Sequence, residues 1–156
     1  MFRVGFGYDV HPFEKGKKLY LGGIEVNSDL GLKGHSDGDV LIHSIIDALL
    51  GACGYENIGE LFPETEEYKN IDSKILLKKT MEKLSNIKII NIDTTVVTSY
   101  VKINKYKTEM KELLSKLMRI SPSQVNIKGK SGNSLGIGGK NEGIEAYCVV
   151  LIECGE

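Results

Sequence analysis

The sequence has no surplus of either charge: 20 Lys and Arg stand against 21 Asp and Glu, a formal net charge of −1. Nothing in that balance would neutralise a phosphate backbone, so no nucleic-acid partner is expected. Long apolar runs are also missing. The longest, residues 146–152, has seven members, against the ~20 that a membrane-spanning helix needs, so no membrane partner is expected either. Neither an apolar signal region nor an Arg- and Ser-rich transit segment precedes Phe2. Cys53, Cys148 and Cys154 are odd in number and lack CxxC spacing. They read as reduced thiols, and the expected location is cytoplasmic. Histidine is equally scarce: His11, His35 and His43 all fall within the first 43 residues.

What is present suits one globular domain spanning 1–156. The chain is 41% hydrophobic, enough for a core. Glycine is in excess, 18 of 156 residues, or about 12% against a usual 7%. It gathers in short blocks at Gly5 and Gly7, Gly22 and Gly23, Gly38, and between Gly129 and Gly143, where backbone must turn or approach a ligand closely. Residues 2–11 read as a strand and 18–26 as a second strand or hairpin limb. A helix is predicted over 36–52, with Ser36 and Asp39 resembling a capping box. A second helix runs from Asp72 and Ser73 to about 86, Ile87–Val97 is rich in β-formers, and 104–118 has clear helical amphipathicity. Strands at 125–128 and 143–153 finish the chain. This order argues an α+β fold, a mixed four- to five-stranded sheet with helices on one face.

The chemistry-bearing residues cluster. Asp9 and His11, two apart on a strand, project from one face. Asp39, His43 and Asp47 form an i, i+4, i+8 polar stripe on the first helix, which by default is a solvated face. Two histidines and a carboxylate nevertheless make a ligand set suited to Zn²⁺ with one position left open. His35 and Ser36 precede a helix N-terminus, where free N–H groups favour an anion, although Ser36 could simply be a cap. Residues 128–140 hold three lysines, two serines and five glycines. They fail the G-x-x-x-x-G-K-[ST] spacing; they can either cradle a diphosphate through backbone N–H groups or form a plain exposed loop. Lys102 reads by default as a surface lysine.

The run SDGDVLIHSIIDALLGA at 36–52 resembles the signature of the 2-C-methyl-D-erythritol 2,4-cyclodiphosphate synthase family. The resemblance extends over essentially the whole chain through GYDVH at 7–11, IGELFP at 58–63, DS at 72–73, NID at 91–93, VNIK at 125–128 and EG at 142–143. It implies a cytoplasmic lyase of the methylerythritol phosphate pathway of isoprene biosynthesis, releasing CMP. It implies further a homotrimer with active sites between subunits, one Zn²⁺ per subunit on Asp9, His11 and His43, and His35 and Ser131 stabilising the transition state. A second divalent cation, Mg²⁺ or Mn²⁺, would accompany the substrate diphosphate.

Substrate contacts carried over by the resemblance include Asp9, Val10, His11, His35 and Ser36 beside the metal. They include Asn57, Ile58 and Gly59, then Phe62, Pro63, Glu64, Thr65 and Glu66. Thr98, Lys102, Ile103 and Asn104 follow, then Lys130, Ser131, Gly132 and Asn133. Ile137 and Lys140 complete the set, beside a trimer axis where an isoprenoid diphosphate is a further implied ligand. Several positions depart from the family pattern. Asn57 and Glu64 stand for Asp, Ser131 for Thr, Asn133 for Glu, Ile137 for Phe and Lys140 for Arg. On the resemblance, Asn57 would accept from ribose hydroxyls without carrying a charge, and Lys140 would offer a point charge in place of a planar fork. A zinc phosphohydrolase and a non-catalytic trimeric binder of isoprenoid diphosphates are the competing readings.

Overall fold

The computed structural model describes residues 1–155. β1 (Phe2–Lys15) lies second from the edge of a five-stranded sheet. It pairs antiparallel with β7 (Gly143–Cys154) from Phe2 opposite Glu153 to Pro12 opposite Gly143. β4 (Leu30–Leu32) pairs with the far end of β1, and β5 (Ile87–Val97) lies antiparallel on the other side of β7. β6 (Val125–Lys130) runs parallel to β5, reached through the helix α4 (Lys107–Met118). The spatial order is β4-β1-β7-β5-β6, a mixed sheet as the element pattern predicts. β2 (Leu19–Leu21) and β3 (Ile24–Val26) form a separate hairpin.

Alternation along β1 and β7 separates two faces. Gly5 and Gly7 of β1 and Ile144, Ala146, Cys148, Val150 and Ile152 of β7 point to the helices and are buried. Phe2, Val4, Phe6 and Val149 point the other way and are 45–67% exposed. On the covered face lies α1 (Val40–Ala52), buried on nearly every side, with Leu41, Ile42, Ile45, Ile46 and Leu49 fully buried. α3 (Ser73–Lys83) and α4 pack beyond it.

The contact between α1 and β1 is unusually close because β1 carries glycine there. A Cβ on Gly7 would collide with the Ser44 carbonyl, and one on Gly5 with the Ala48 carbonyl. Two strand residues advance about 6.7 Å and four helical residues 6 Å, so the two elements stay in step while running in opposite directions. Arg3 donates to the Ala52 carbonyl, Gly5 meets Ala48 and Gly7 meets Ser44, and His43, the residue before Ser44, lies beside Asp9.

Local boundaries differ from the sequence reading in instructive ways. α1 begins at Val40, and its N-cap is Asp39, which accepts from Ile42 N–H; the expected capping box on Ser36 does not form. Asp39 is fully buried and also accepts from the backbone N–H groups of Gly22 and Gly23 at 3.0 and 2.7 Å, pinning the β2–β3 turn to the helix start. Nor is the Asp39, His43, Asp47 stripe a solvated face: Asp39 and His43 are buried. A single turn at Ile103–Lys105 precedes α4, so the helix begins at Lys107 and not at 104; α3 ends at Lys83 instead of 86. β4 and the short helices α2 (Ile58–Leu61) and α5 (Gly136–Gly139) carried no periodic signal. No helix among the described residues is long and apolar enough to cross a membrane.

Gly7→Ala is expected to lower stability by about 3 kcal/mol, because the obstacle is a helix backbone carbonyl that cannot swing aside. Urea unfolding followed by circular dichroism measures it; a loss below ~1 kcal/mol would show that α1 can lift off β1 cheaply.

Candidate metal and phosphate site

Strand alternation puts Asp9 and His11 on the helix side of β1, and the close approach of Gly7 to Ser44 brings the adjacent His43 of α1 to them. Asp9 Oδ2 lies 2.9 Å from His11 Nε2 and 3.1 Å from His43 Nδ1, and the two imidazole nitrogens are 3.3 Å apart. A tetrahedral ion with bonds of about 2.0–2.1 Å separates its donors by roughly 3.3 Å. The three donors therefore already stand near the edges of such a coordination polyhedron, and this is the one Asp/His/Cys/Glu cluster of that kind among the described residues. The donor set, two neutral nitrogens and one carboxylate, fits zinc with one position left for a ligand oxygen.

The charges agree with that use. Burial alone would raise the Asp9 carboxyl, but hydrogen bonds from His11 and His43 outweigh it and hold it below the usual 3.8. Burial likewise opposes charge on His43, yet the Asp9 hydrogen bond and the Asp9, Asp39 and Asp37 charges leave it above 6.5. Asp39 behaves differently. Burial and the Asp37 charge push it up to about 6, against the backbone N–H groups of Ile42 and Gly23.

The remaining predicted residues fall into two groups. Beside the metal donors, Ser36 Oγ is 3.1 Å from His43 Nε2. His35 Nε2 lies 2.6 Å from the Thr65 carbonyl, joining it to the segment of Phe62, Pro63, Glu64 and Glu66. Asn57 caps α2 by accepting from Gly59 N–H, and Asp47 accepts from Ile58 N–H at 2.7 Å, so α1 holds this segment too. Val10 alternates away, on the opposite sheet face from Asp9 and His11.

The second group lies where β5 and β6 end. Thr98 N–H donates to the Lys130 carbonyl, and Ile103 packs where a Gly129 side chain would sit. Ser131 accepts from Asn133 N–H and caps the turn Gly132–Ser134. Lys102, Asn104, Lys130 and Lys140 are exposed and Ile137 is half-buried. The Phe13–Tyr100 ring contact, centroids 5.2 Å apart, links this region to the end of β1. No hydrogen bond or ion pair joins Ser131 or Lys102 to the metal donors among the described residues. Sequence reasoning passed over Asp37 and Ser73: Ser73 Oγ lies 2.8 Å from His43 Nε2 and donates to Asp37. Apart from its part in the resemblance, the pair Asp72-Ser73 reads from sequence as a helix start, since the partner of Ser73 is 36 residues away.

A model of the YgbB family matches residues 2–153. The chain is 54% identical over 155 residues to 2-C-methyl-D-erythritol 2,4-cyclodiphosphate synthase of Caldicellulosiruptor bescii, covering 97% of this chain and 99% of that one. It is 47% identical to the synthase of Petrotoga mobilis, covering 100% and 99%. Among solved structures it resembles the bifunctional IspDF of Campylobacter jejuni, with TM-score 0.94, 35% identity, and coverage of 100% of this chain and 43% of that one. It also resembles a CDP complex of IspF from Plasmodium falciparum, with TM-score 0.87, 33% identity and coverage of 99% and 97%.

The shifts of Asp9 and His43 set a pH window for the metal-free protein. Stabilisation from the lowered carboxyl is present above its ordinary 3.8 and lost as pH falls through the lower folded value. That from the raised imidazole is complete below 6.5 and lost as pH rises through the higher folded value. In a chelator, Asp9→Asn should cost most stability between about pH 4 and 6.5, and the cost should shrink above it. Melting temperatures across pH 4–9 test this, and a pH-independent difference contradicts it.

Proposed function

The chain belongs to the YgbB family, and from that premise we propose how its residues perform the family's reaction. The activity is that of 2-C-methyl-D-erythritol 2,4-cyclodiphosphate synthase. This lyase step of the methylerythritol phosphate pathway closes 4-diphosphocytidyl-2-C-methyl-D-erythritol 2-phosphate into the cyclic diphosphate and releases CMP. The 2-phosphate oxygen bonds to the β-phosphorus while the bond from that phosphorus to the CMP oxygen breaks. The nucleophile is already anionic, so no strong general base is required, and the protein's tasks are to fold the substrate and spread its charge. Holding the two ends together can supply roughly 7–11 kcal/mol of the barrier.

The observation that carries the reading is the trio Asp9, His11 and His43, with donors 2.9–3.3 Å apart. We assign these as the ligands of one Zn²⁺ per subunit. Bound there, the ion supplies Lewis-acid stabilisation of the charge on the attacked phosphate. His35, steadied by the Thr65 carbonyl, and the exposed Ser131 hydroxyl donate to phosphate oxygens whose charge grows in the transition state. A second divalent cation, Mg²⁺ or Mn²⁺, would accompany the substrate diphosphate and neutralise part of its charge; Asn133 would bring no charge to it. Asn57, Ile58 and Gly59 with Glu64 and Glu66 line the metal side. Thr98, Lys102, Ile103 and Asn104 with Lys130, Ser131 and Gly132 form the cytidine side. The relative solved with CDP supports a cytidine diphosphate ligand.

The separation of these two groups within one chain supports a site completed between neighbours in a homotrimer. The bare sheet face of Phe2, Val4, Phe6 and Val149 supplies apolar surface for such an assembly. Ile137 and Lys140 belong to the axial end, where an isoprenoid diphosphate is the proposed ligand. We place the chain, as one domain over 1–156, in the cytoplasm.

His43→Ala is expected to abolish CMP release while leaving the trimer assembled by size-exclusion chromatography; full turnover would remove the metal from the reaction. Ser131→Ala should lower kcat by about 10²–10³-fold, the scale of one lost oxyanion donor, and an unchanged rate would clear the hydroxyl of any catalytic part.

A further inference from the structure

We propose that Asp37 and Ser73 form a positioning relay for His43, a hydroxyl held by a carboxylate that fixes which nitrogen of the imidazole faces the metal. The inference rests on the zinc assignment above and extends it to two residues with no role in it.

The argument is one of donors and acceptors. If His43 Nδ1 takes its place beside Asp9 Oδ2 and His11 Nε2 as a ligand, the neutral ring carries its single proton on Nε2. That N–H points into the interior, where His43 is 7% exposed, and it needs an acceptor. Two hydroxyls are in reach, Ser73 Oγ at 2.8 Å and Ser36 Oγ at 3.1 Å. Ser73 is the nearer and its own proton is committed. Asp37 Oδ1 accepts from Ser73 Oγ, while Asp37 Oδ2 accepts from Ser73 N–H at 2.8 Å. A carboxylate can only accept, so the Ser73 hydroxyl proton points at Asp37 and its lone pairs turn to His43.

The holding groups are rigid. Ser73 is the fully buried first residue of α3, and Asp37 Oδ1 also accepts from Asp39 N–H at 3.1 Å, one residue before α1. The relay therefore runs from carboxylate to hydroxyl to imidazole to ion, and it ties two helix starts to one ligand. Outer partners of this kind orient a metal-bound histidine and select its tautomer.

The test uses the full-length protein and zinc itself. Zinc affinity is measured by competition with a chromophoric chelator for the unmodified protein, Ser73→Ala, Asp37→Asn and Ser36→Ala. Ser73→Ala is expected to weaken zinc binding 10–100-fold, the range for loss of such a partner, and Asp37→Asn to weaken it in the same direction, while Ser36→Ala stays within twofold. In the ¹⁵N spectrum of the zinc-loaded protein, the His43 Nε2–H should be seen as a slowly exchanging proton, lost in Ser73→Ala. A purely structural role for Ser73 would not move that resonance selectively. Should Ser73→Ala not fold, Asp37→Asn, which keeps the shape of its side chain, carries the same two readouts. Unchanged affinity with the Nε2–H resonance retained overturns the relay, as does a larger loss from Ser36→Ala. Failure of the unmodified protein to bind zinc overturns the metal assignment instead, and the relay with it.

Discussion

The closeness of α1 to β1 is the constraint on which the other features depend. Two glycines, Gly5 and Gly7, let a helix backbone settle against a strand backbone, and the carbonyls of Ala48 and Ser44 fill the space that side chains would need. Because Gly7 rests on Ser44, the residue before it on the helix, His43, is brought beside Asp9, two residues further along the strand. A strand and a helix separated by ordinary side chains would hold their polar groups too far apart to share an ion. Here Asp9 reaches both imidazoles at 2.9–3.1 Å with no loop intervening. Sites built on regular elements hold their geometry better than sites on loops.

Four aspartates surround this region, and their partners set them apart. Asp37 is occupied by Ser73 and Asp39 N–H, Asp39 by the N–H groups of Gly22, Gly23 and Ile42, and Asp47 by Ile58 N–H. Asp9 is the one aimed at the two imidazoles. The cluster is therefore a division of labour: three carboxylates secure backbone around the fourth, which faces the ligand position. Asp39 shows the cost of that service, since burial beside Asp37 drives its pKa up to about 6. Its bonds cross from the β2–β3 turn to the start of α1, so the hairpin and that helix are fastened by one side chain.

Much of this was legible in the sequence, for reasons that can be named. Asp9 and His11 share a face because strands alternate, and the scarcity of histidine left His43 as the natural third donor. The mixed sheet followed from the order of apolar runs. The start of α1 was not legible, because Ser36 and Asp39 are both good caps, and only the turn at Gly22 and Gly23, far back in the chain, decides between them. The burial of the Asp39, His43, Asp47 stripe was hidden for the same reason: a polar stripe says nothing of what folds over it. Ser73 and Asp37 lie 36 residues apart, and no local pattern joins them. The separation of Ser131 from the metal donors likewise emerges only from strand order.

β1 serves two masters at once. Its odd-numbered residues, from Arg3 to His11, belong to the helix and the ion, and its even-numbered ones, from Phe2 to Tyr8, to the open face of the sheet. Because the two sets interleave along one strand, a point substitution disturbs one set and spares the other, whereas an insertion or deletion of a single residue exchanges them wholesale. Phe6 would then be driven into the helix backbone and Asp9 turned outward. Mutational drift in this segment is thus confined to replacement, and its length is as strictly held as its ligands.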